Sequence, residues 1–258
     1  MEGVSRVAWG AESPLELKLK SLGALADDVE VFFQGIKHRV VVAARDIVIR
    51  ESDAGGQLKV LLAGMACSYK RRKDGDRRIV SFQHPGDFCD LYRYVVTDLK
   101  PGIDIQALTD CTVAVIDYRD MDGLLSRPTL ATVLWRASML EAAIYREQLS
   151  TTSRGTALER VAHLLCEQLQ RRQSVGIRST RLPFSQVDIA NATGLSIVHV
   201  NRTIQTLGRL DVLSATRPAI EVVDRRQLAE IAGFDGSYLD VQKLVSKWTV
   251  QVIQDRCD

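Results

Sequence analysis

The stretch that most constrains this chain is residues 184–207, FSQVDIANATGLSIVHVNRTIQTL. It reads as two short helices joined by a tight turn. Ser185 is placed to cap the first helix, because its hydroxyl can accept an otherwise unpaired backbone N–H. Ile189 and Ala190 give that helix an apolar face, and Gly194 ends it where the chain needs a left-handed residue. Leu195 fills the corner and Ser196 caps the second helix. Val200, Ile204 and Leu207 recur at spacings of 4 and 3, which puts them on one buried face. His199, Asn201, Arg202 and Gln205 fall on the opposite face. Small residues at the crossing, a Gly in the turn and a polar outer face describe a DNA-reading helix-turn-helix. The alternative is an ordinary αα-hairpin with a soluble outer face.

The flanking sequence favours the first reading. Residues 212–213 and 219–223 are short β-prone runs around Ser214-Ala215-Thr216-Arg217-Pro218, the pattern of a wing whose Arg217 could follow a phosphate backbone. Between Arg154 and Arg209 lie eight arginines, no lysines and three acidic residues, against a formal charge of +2 for the whole chain. Local positive charge of this kind draws in double-stranded DNA and releases its counterions.

At 258 residues the chain can bury at least one sizeable core, and two domains are expected. No apolar run approaches the roughly 18 residues of a membrane span, so no membrane partner is expected. The N-terminus lacks the basic and apolar regions of a signal peptide, which predicts a cytoplasmic protein. The cysteines, Cys67, Cys89, Cys111, Cys166 and Cys257, are odd in number and widely spaced. That spacing suits neither a zinc site nor a disulfide framework. No nucleophile–base pair stands out, no enzyme activity is expected, and no cofactor is predicted.

The first half has another texture. Residues 14–29 predict one short amphipathic helix through Leu15, Leu19, Leu22 and Leu25. Short β-prone runs follow at 39–43, 47–50, 58–63, 66–69, 79–82, 103–108 and 112–116, broken by Gly- and Pro-containing turns. This is the signature of a β-sandwich or jelly roll. A helical block then opens at Pro128. Leu130, Val133, Ala137, Leu140 and Ile144 follow the spacing of a two-stranded coiled-coil seam, which predicts a homodimer through residues 128–150. The alternative is that this stripe packs on its own β-domain. A further helix is predicted over 154–172. The expectation is an α+β chain: an N-terminal β jelly roll over 1–127, a dimerisation helix over 128–152, and a winged helix-turn-helix with a helical tail over 153–258.

This order of parts resembles the Crp/Fnr superfamily of bacterial transcription regulators. The residues that carry the likeness are Gly55, Leu62-Ala63-Gly64, the Lys73-Asp74-Gly75 tip, the Pro85-Gly86-Asp87-Phe88 turn and Val200-Asn201-Arg202. The resemblance implies a homodimeric regulator that binds double-stranded DNA through Ser185, Gln186, Ser196, Ile197, Val198, His199, Asn201, Arg202, Gln205 and Arg217. Arg202 matches the family's guanine-reading Arg, whereas Ile197 and Val198 can meet only thymine methyls. It also implies that exposed patches of the β-domain touch RNA polymerase. The basic Lys70-Arg71-Arg72-Lys73 and Arg77-Arg78 hairpin suits that role, or serves only to keep the tip soluble.

The departures from the family are equally informative. Members that bind cyclic nucleotides hold the phosphate and ribose with a Glu and an Arg-Ser or Arg-Thr pair after the Gly-Asp-Phe turn. Here the segment is FCDLYRYVVTDLKPGIDIQALTD, which has no Glu and only Arg93, followed by Tyr94. A buried phosphate would be poorly compensated, so control by a cyclic nucleotide is not expected. Members with an iron–sulfur cluster carry N-terminal cysteines, and the first 66 residues here have none. Cys67, Cys89 and Cys111 flank the expected pocket and are candidates for a thiol sensor, or simply packing residues. His84, before Pro85, and the other histidines offer only a thin case for haem.

Overall fold

The computed structural model describes residues 13–71, 77–96, 102–216 and 219–240. Two helices, α1 (Pro14–Ser21) and α2 (Ala26–Gln34), lead into β1 (His38–Val42), β2 (Ile47–Ile49), β3 (Gln57–Ala63), β4 (Ala66–Arg71), β5 (Arg77–Gln83) and β6 (Phe88–Cys89). After α3 (Leu91–Val95) come β7 (Asp104–Ala107), β8 (Cys111–Asp117) and α4 (Tyr118–Leu125). The long helix α5 (Pro128–Arg154) precedes α6 (Ala157–Ser174), β9 (Arg181–Leu182), α7 (Gln186–Thr193) and α8 (Ile197–Arg209). The strands β10 (Leu213–Thr216) and β11 (Ala219–Val222), then α9 (Arg225–Ala232) and a 3₁₀ turn (Gly236–Leu239), complete the described chain.

The first eight strands form two four-stranded antiparallel sheets, ordered β1-β8-β3-β6 and β2-β7-β4-β5. They enclose a small core of Val48, Leu61, Cys89, Ile105 and Val113. This is the predicted jelly roll. All seven predicted strands are present; the two-residue β6 carried too short a pattern to be read.

The predicted helix over 14–29 is two helices. Gly23 takes a φ of 99°, a left-handed conformation that ends α1. Asp28 then starts α2 by accepting the Leu25 backbone N–H at 3.1 Å. Leu25 is consequently exposed, while Leu15, Leu19 and Leu22 are buried. The same Asp28, fully buried, accepts the Arg127 Nε–H at 2.8 Å and so pins α2 to the start of α5.

The predicted coiled-coil stripe is occupied within the chain. Leu130 and Val133 are buried in a core shared with α1, α2, α4, β3 and β8, and Ala137 packs against it. Ile144 is buried and Leu140 half-buried. The N-terminal part of the stripe is thus packed on its own β-domain, while Ala137 and Leu140 stay partly exposed. The apolar residues that α5 does expose are Trp135, Met139, Tyr145 and Leu149.

The helix ends at Gly155, whose extended backbone turns the chain. Thr156 and Glu159 then form a capping box that opens α6, three residues later than predicted. The junction between α6 and the roll is polar as well as apolar. Arg171 donates to the Phe82 carbonyl and to Asp87, both at 2.8 Å. Asp87 also pairs with Lys18 at 2.8 Å. His84, buried, lies 2.7 Å from Gln168 Oε1 through its Nε2, which that network assigns as the protonated nitrogen. Gln168 in turn donates to Glu167, which accepts the Tyr238 hydroxyl at 2.8 Å.

Burial, reinforced by Arg171, pushes the His84 imidazole down to about 3 from an ordinary value of 6.5. The unfolded chain therefore binds this proton at a higher pH than the folded one. Stability from neutral His84 is complete above pH 6.5 and falls as the pH drops from there towards 3, by roughly 1.4 kcal/mol per pH unit. Asp87 acts in the same direction at lower pH. Although burial opposes it, Lys18 and Arg171 hold its carboxyl well below the usual range. Its contribution is therefore lost only below the ordinary carboxylate value. His84→Gln is expected to flatten the loss of stability between pH 6.5 and about 5, read from urea midpoints. A variant profile parallel to the native one would remove His84 as the cause.

Candidate nucleic-acid interface and effector cavity

The reading unit is built as its caps require. Ser185 Oγ accepts the Asp188 N–H at 3.1 Å, and Asp188 returns the bond by accepting the Ser185 N–H at 3.0 Å. Gly194 adopts φ 72° and closes α7. Ser196 Oγ accepts the His199 N–H at 3.3 Å and opens α8. Val200, Thr203, Ile204 and Leu207 form the buried face of α8. Leu195 packs on the same core at the corner.

The opposite face is open. Ile197, Val198, His199, Arg202 and Gln205 are exposed, and Asn201 is half-buried. Asn201 Nδ2 donates to Gln186 Oε1 at 3.2 Å, and Gln205 Nε2 donates to Asn201 Oδ1 at 3.0 Å. The three amides thus form a ladder from α7 along α8. This ladder was not legible in the sequence, because it links positions on two helices. It fixes which way each amide points, and leaves the Arg202 fork as the exposed cationic group beside it. Ser185 and Ser196 have their hydroxyls committed to capping, so what they present outward is the free N-terminal amides of their helices, which suit phosphate oxygens. β10 and β11 pair antiparallel, and β9 joins them through Ile220 and Leu182. Arg217 lies outside the described residues.

The reading unit is not separate from the roll. One apolar cluster contains Met65, Cys67, Tyr69, Ile79 and Phe82 of the roll together with Val161, Leu165, Ile189, Ala190, Val200 and Leu207. The Phe82 and Phe184 rings lie 4.7 Å apart. Arg77, read from sequence as part of a charged hairpin tip, instead reaches across. Its Nη2 lies 2.7 Å from Asp188 Oδ1, and Asp188 is fully buried. Residues 72–76 of that tip lie outside the described residues.

A cavity of about 600 Å³ lies between the roll, α3 and α5. Ser68, Lys70, Val80, Asp90, Tyr92, Val95, Glu141 and Tyr145 are among its lining. Burial raises the Glu141 carboxyl, whose Oε1 accepts the Tyr145 hydroxyl at 2.7 Å. Burial likewise raises Asp90. Arg93, the only Arg of the segment that would hold a cyclic phosphate, is turned elsewhere. Its Nε donates to Asp90 at 3.0 Å, and its two terminal nitrogens donate to the carbonyls of Asp53 and Arg50 at 2.8 and 3.1 Å. The cavity sets two carboxyl groups, Asp90 and Glu141, against the single Lys70 amine, and Arg93 lies outside its lining with its donors already bonded, a poor balance for a phosphate monoanion.

Cys67, Cys89, Cys111 and Cys166 are free and buried. Burial pushes the Cys67 and Cys166 thiols up to about 12 and raises those of Cys89 and Cys111. Cys111 Sγ lies 3.3 Å from the carbonyls of Met65 and Thr109, as an S–H donor would. The thiolate is the reactive form, and these sites suppress it. Cys67 packs in the core shared with the reading unit, and Cys89 and Cys111 pack inside the roll, which favours the packing reading of the three. Among the described residues no group of His, Cys, Asp or Glu is arranged to hold a metal ion.

A roll, a long helix that walls a cavity against it, and a winged helix-turn-helix together define a DNA-binding regulator. Residues 39–127 match the cyclic nucleotide-binding domain family, and residues 159–231 match the Crp-like helix-turn-helix domain family. The chain belongs to the Crp/Fnr superfamily of transcription regulators. It is 24% identical over 211 residues to the anaerobic regulatory protein of Haemophilus influenzae, 81% of each chain. It is 28% identical over 186 residues to the fumarate and nitrate reduction regulatory protein of Vibrio cholerae, 70% of this chain and 74% of that one. The structure of FixK2 from Bradyrhizobium japonicum matches the fold with a TM-score of 0.64 at 22% identity, over 77% of this chain and 98% of that one. These relatives are regulators, not enzymes. No helix among the described residues is long and apolar enough to cross a membrane.

Proposed function

We propose that this regulator works as a homodimer that reads a two-fold symmetric operator through α8 and answers to a ligand other than a cyclic nucleotide. The observation that carries the reading is the open outer face of α8, with Arg202 exposed beside the Gln186–Asn201–Gln205 ladder. Arg202 reads guanine. His199 and Asn201 contribute further base edges, Ile197 and Val198 meet thymine methyls, and the capped helix starts at Ser185 and Ser196 engage phosphates together with Arg217. Two copies of α5 meet through the exposed Trp135, Met139 and Leu149, with the half-buried Ala142, at the edge of the cavity, completing their 4-3-7 spacing. The effector occupies the cavity beside Glu141, an amphipathic molecule rather than a phosphate ester. RNA polymerase contacts belong to the exposed surface of the roll, and the protein acts in the cytoplasm.

Salt-dependent retention on operator DNA tests the core of this reading. Specific binding should weaken steeply with salt, and more steeply than it would for a protein–protein contact. Isothermal titration with cyclic AMP and cyclic GMP is expected to show no binding at micromolar concentrations. Operator affinity should be unchanged by either nucleotide. Micromolar binding with a gain of about tenfold in operator affinity would overturn the reading of the cavity, though not of the DNA-binding face.

A further inference from the structure

The winged domain holds a cavity of its own. It measures about 420 Å³ and lies between α6 and α9, outside the roll. Its walls are largely apolar. Leu169 and Leu228 belong to the core beneath the reading unit, and Ala229 and Phe234 pack against that core. Gln170 Nε2 donates to the Gly236 carbonyl at 3.1 Å, which ties the chain beyond α9 back to α6 on the Phe234 side. Gln173 and Ser174, both exposed, form the rim. A cleft of this size, apolar with a few polar groups, has the usual form of a small-molecule site.

Arg225, the first residue of α9, is the one charged side chain among the described residues that line it. Its Nη1 donates to Gln173 Oε1 at 3.1 Å. Its Nε and Nη2 are shielded from water and have no hydrogen-bond partner. Those two nitrogens carry parallel N–H bonds, the fork that a carboxylate fits in bidentate fashion. Asp224, the preceding residue, does not fill it. Its carboxylate accepts the Gln227 N–H at 2.9 Å and caps α9 instead. Burial raises the Cys166 thiol at the cavity wall and the Arg225 charge opposes that rise, so the guanidinium sits on the cavity side of α9. An arginine keeps its charge in a protein, and two shielded donors without an acceptor are costly; an anion in the cavity would relieve that cost.

The structure assigns a second ligand site to this cavity: it takes an amphipathic monocarboxylate, whose apolar body lies on Leu169, Leu228 and Phe234 and whose carboxylate accepts from Nε and Nη2 of Arg225. The ligand enters past Gln173 and Ser174 at the rim. Its single negative charge matches the single positive charge of the lining. A small inorganic anion would meet the fork but leave the apolar walls bare, and so gains less. The bound molecule bridges α6 and α9 and braces the winged domain, while it touches none of the residues on the outer face of α8. The inference depends neither on the cavity of the roll nor on DNA reading.

The test uses the full chain, with octanoate as the probe. Octanol keeps the apolar body without the charge, and inorganic phosphate keeps a charge without the body. Isothermal titration is expected to give octanoate a dissociation constant below about 1 mM. Octanol and phosphate should each bind at least about tenfold more weakly. Hydrogen exchange with octanoate should slow over residues 166–174 and 225–234. Arg225→Met removes the fork but keeps the length of the side chain. It should weaken octanoate at least about tenfold and leave octanol unchanged. Without ligand its Tm should equal or exceed that of the native chain, because a shielded, half-paired cation has been replaced by an apolar group. Ala229→Trp fills the cavity and should abolish binding of both octanoate and octanol. No octanoate binding up to about 5 mM would overturn the proposal. So would equal affinities for octanoate and octanol, phosphate binding tighter than octanoate, or slowed exchange confined to residues 138–145 beside the roll cavity. A fall in Tm of Arg225→Met with unchanged octanoate binding would make Arg225 a structural cation and equally overturn it. Should Arg225→Met fail to fold, Arg225→Gln carries the same comparison.

Discussion

Arg202→Ala is expected to lose sequence-specific DNA binding while keeping its fold. Arg202 is exposed on the outer face of α8, so truncating it removes no core contact. Losing one bidentate contact to guanine costs roughly 1–3 kcal/mol per half-site, and a symmetric operator has two. Gel-shift titration on a selected operator at fixed salt measures the loss, and thermal unfolding checks the fold. Discrimination at the guanine position should relax as well, because the neighbouring amides are held by their ladder and cannot move into the gap. Unchanged affinity in a folded variant would move the base reading elsewhere, to His199 or the wing.

Met139→Asp is expected to convert the protein to monomers. Met139 is exposed on α5, one turn from the exposed Trp135. In a two-fold pairing the new carboxylates would face one another and lose their water, an arrangement that favours separation. Sedimentation should show monomers with native circular dichroism, and operator affinity should fall by at least about tenfold as the second half-site is lost. Val133→Asp supplies the contrast. Val133 is fully buried in the core between α5 and the first two helices, so its replacement should damage folding itself. If Met139→Asp stays dimeric and Val133→Asp folds but becomes monomeric, the seam is the buried stripe after all.

The two variants mark the border between what was legible and what was not. The spacing of Leu130, Val133, Ala137, Leu140 and Ile144 does identify an apolar face, but spacing is blind to what covers it. A coiled-coil partner and a β-domain of the same chain impose the same period on a helix. Only the packing of α1, α2 and β3 against α5 shows that Leu130 and Val133 are covered within the chain and that Trp135, Met139 and Leu149 are not. The cysteines show the same limit: their wide spacing argued against a disulfide framework, but the depth at which Cys67, Cys89, Cys111 and Cys166 are buried is a tertiary property.

The amino-acid sequence by itself determined the parts whose causes are local. The Ser185 and Ser196 caps, the left-handed Gly194 and the 4-3 spacing of Val200, Ile204 and Leu207 specify the helix-turn-helix, because capping and helical period act within a few residues. Alternation and turn residues likewise placed seven strands of the roll. The lack of a Glu and of an Arg-Ser or Arg-Thr pair after the Gly-Asp-Phe turn was visible in the residue types, and only the structure shows that Arg93 bonds the 50–53 turn. Only the tertiary structure decided how the parts are joined. Arg77 and Asp188 are 111 residues apart in the chain, and each has an innocent local reading, a charged hairpin and a helix cap. Their meeting depends on the roll and the reading unit burying one common core, a free-energy gain that no short window of sequence contains.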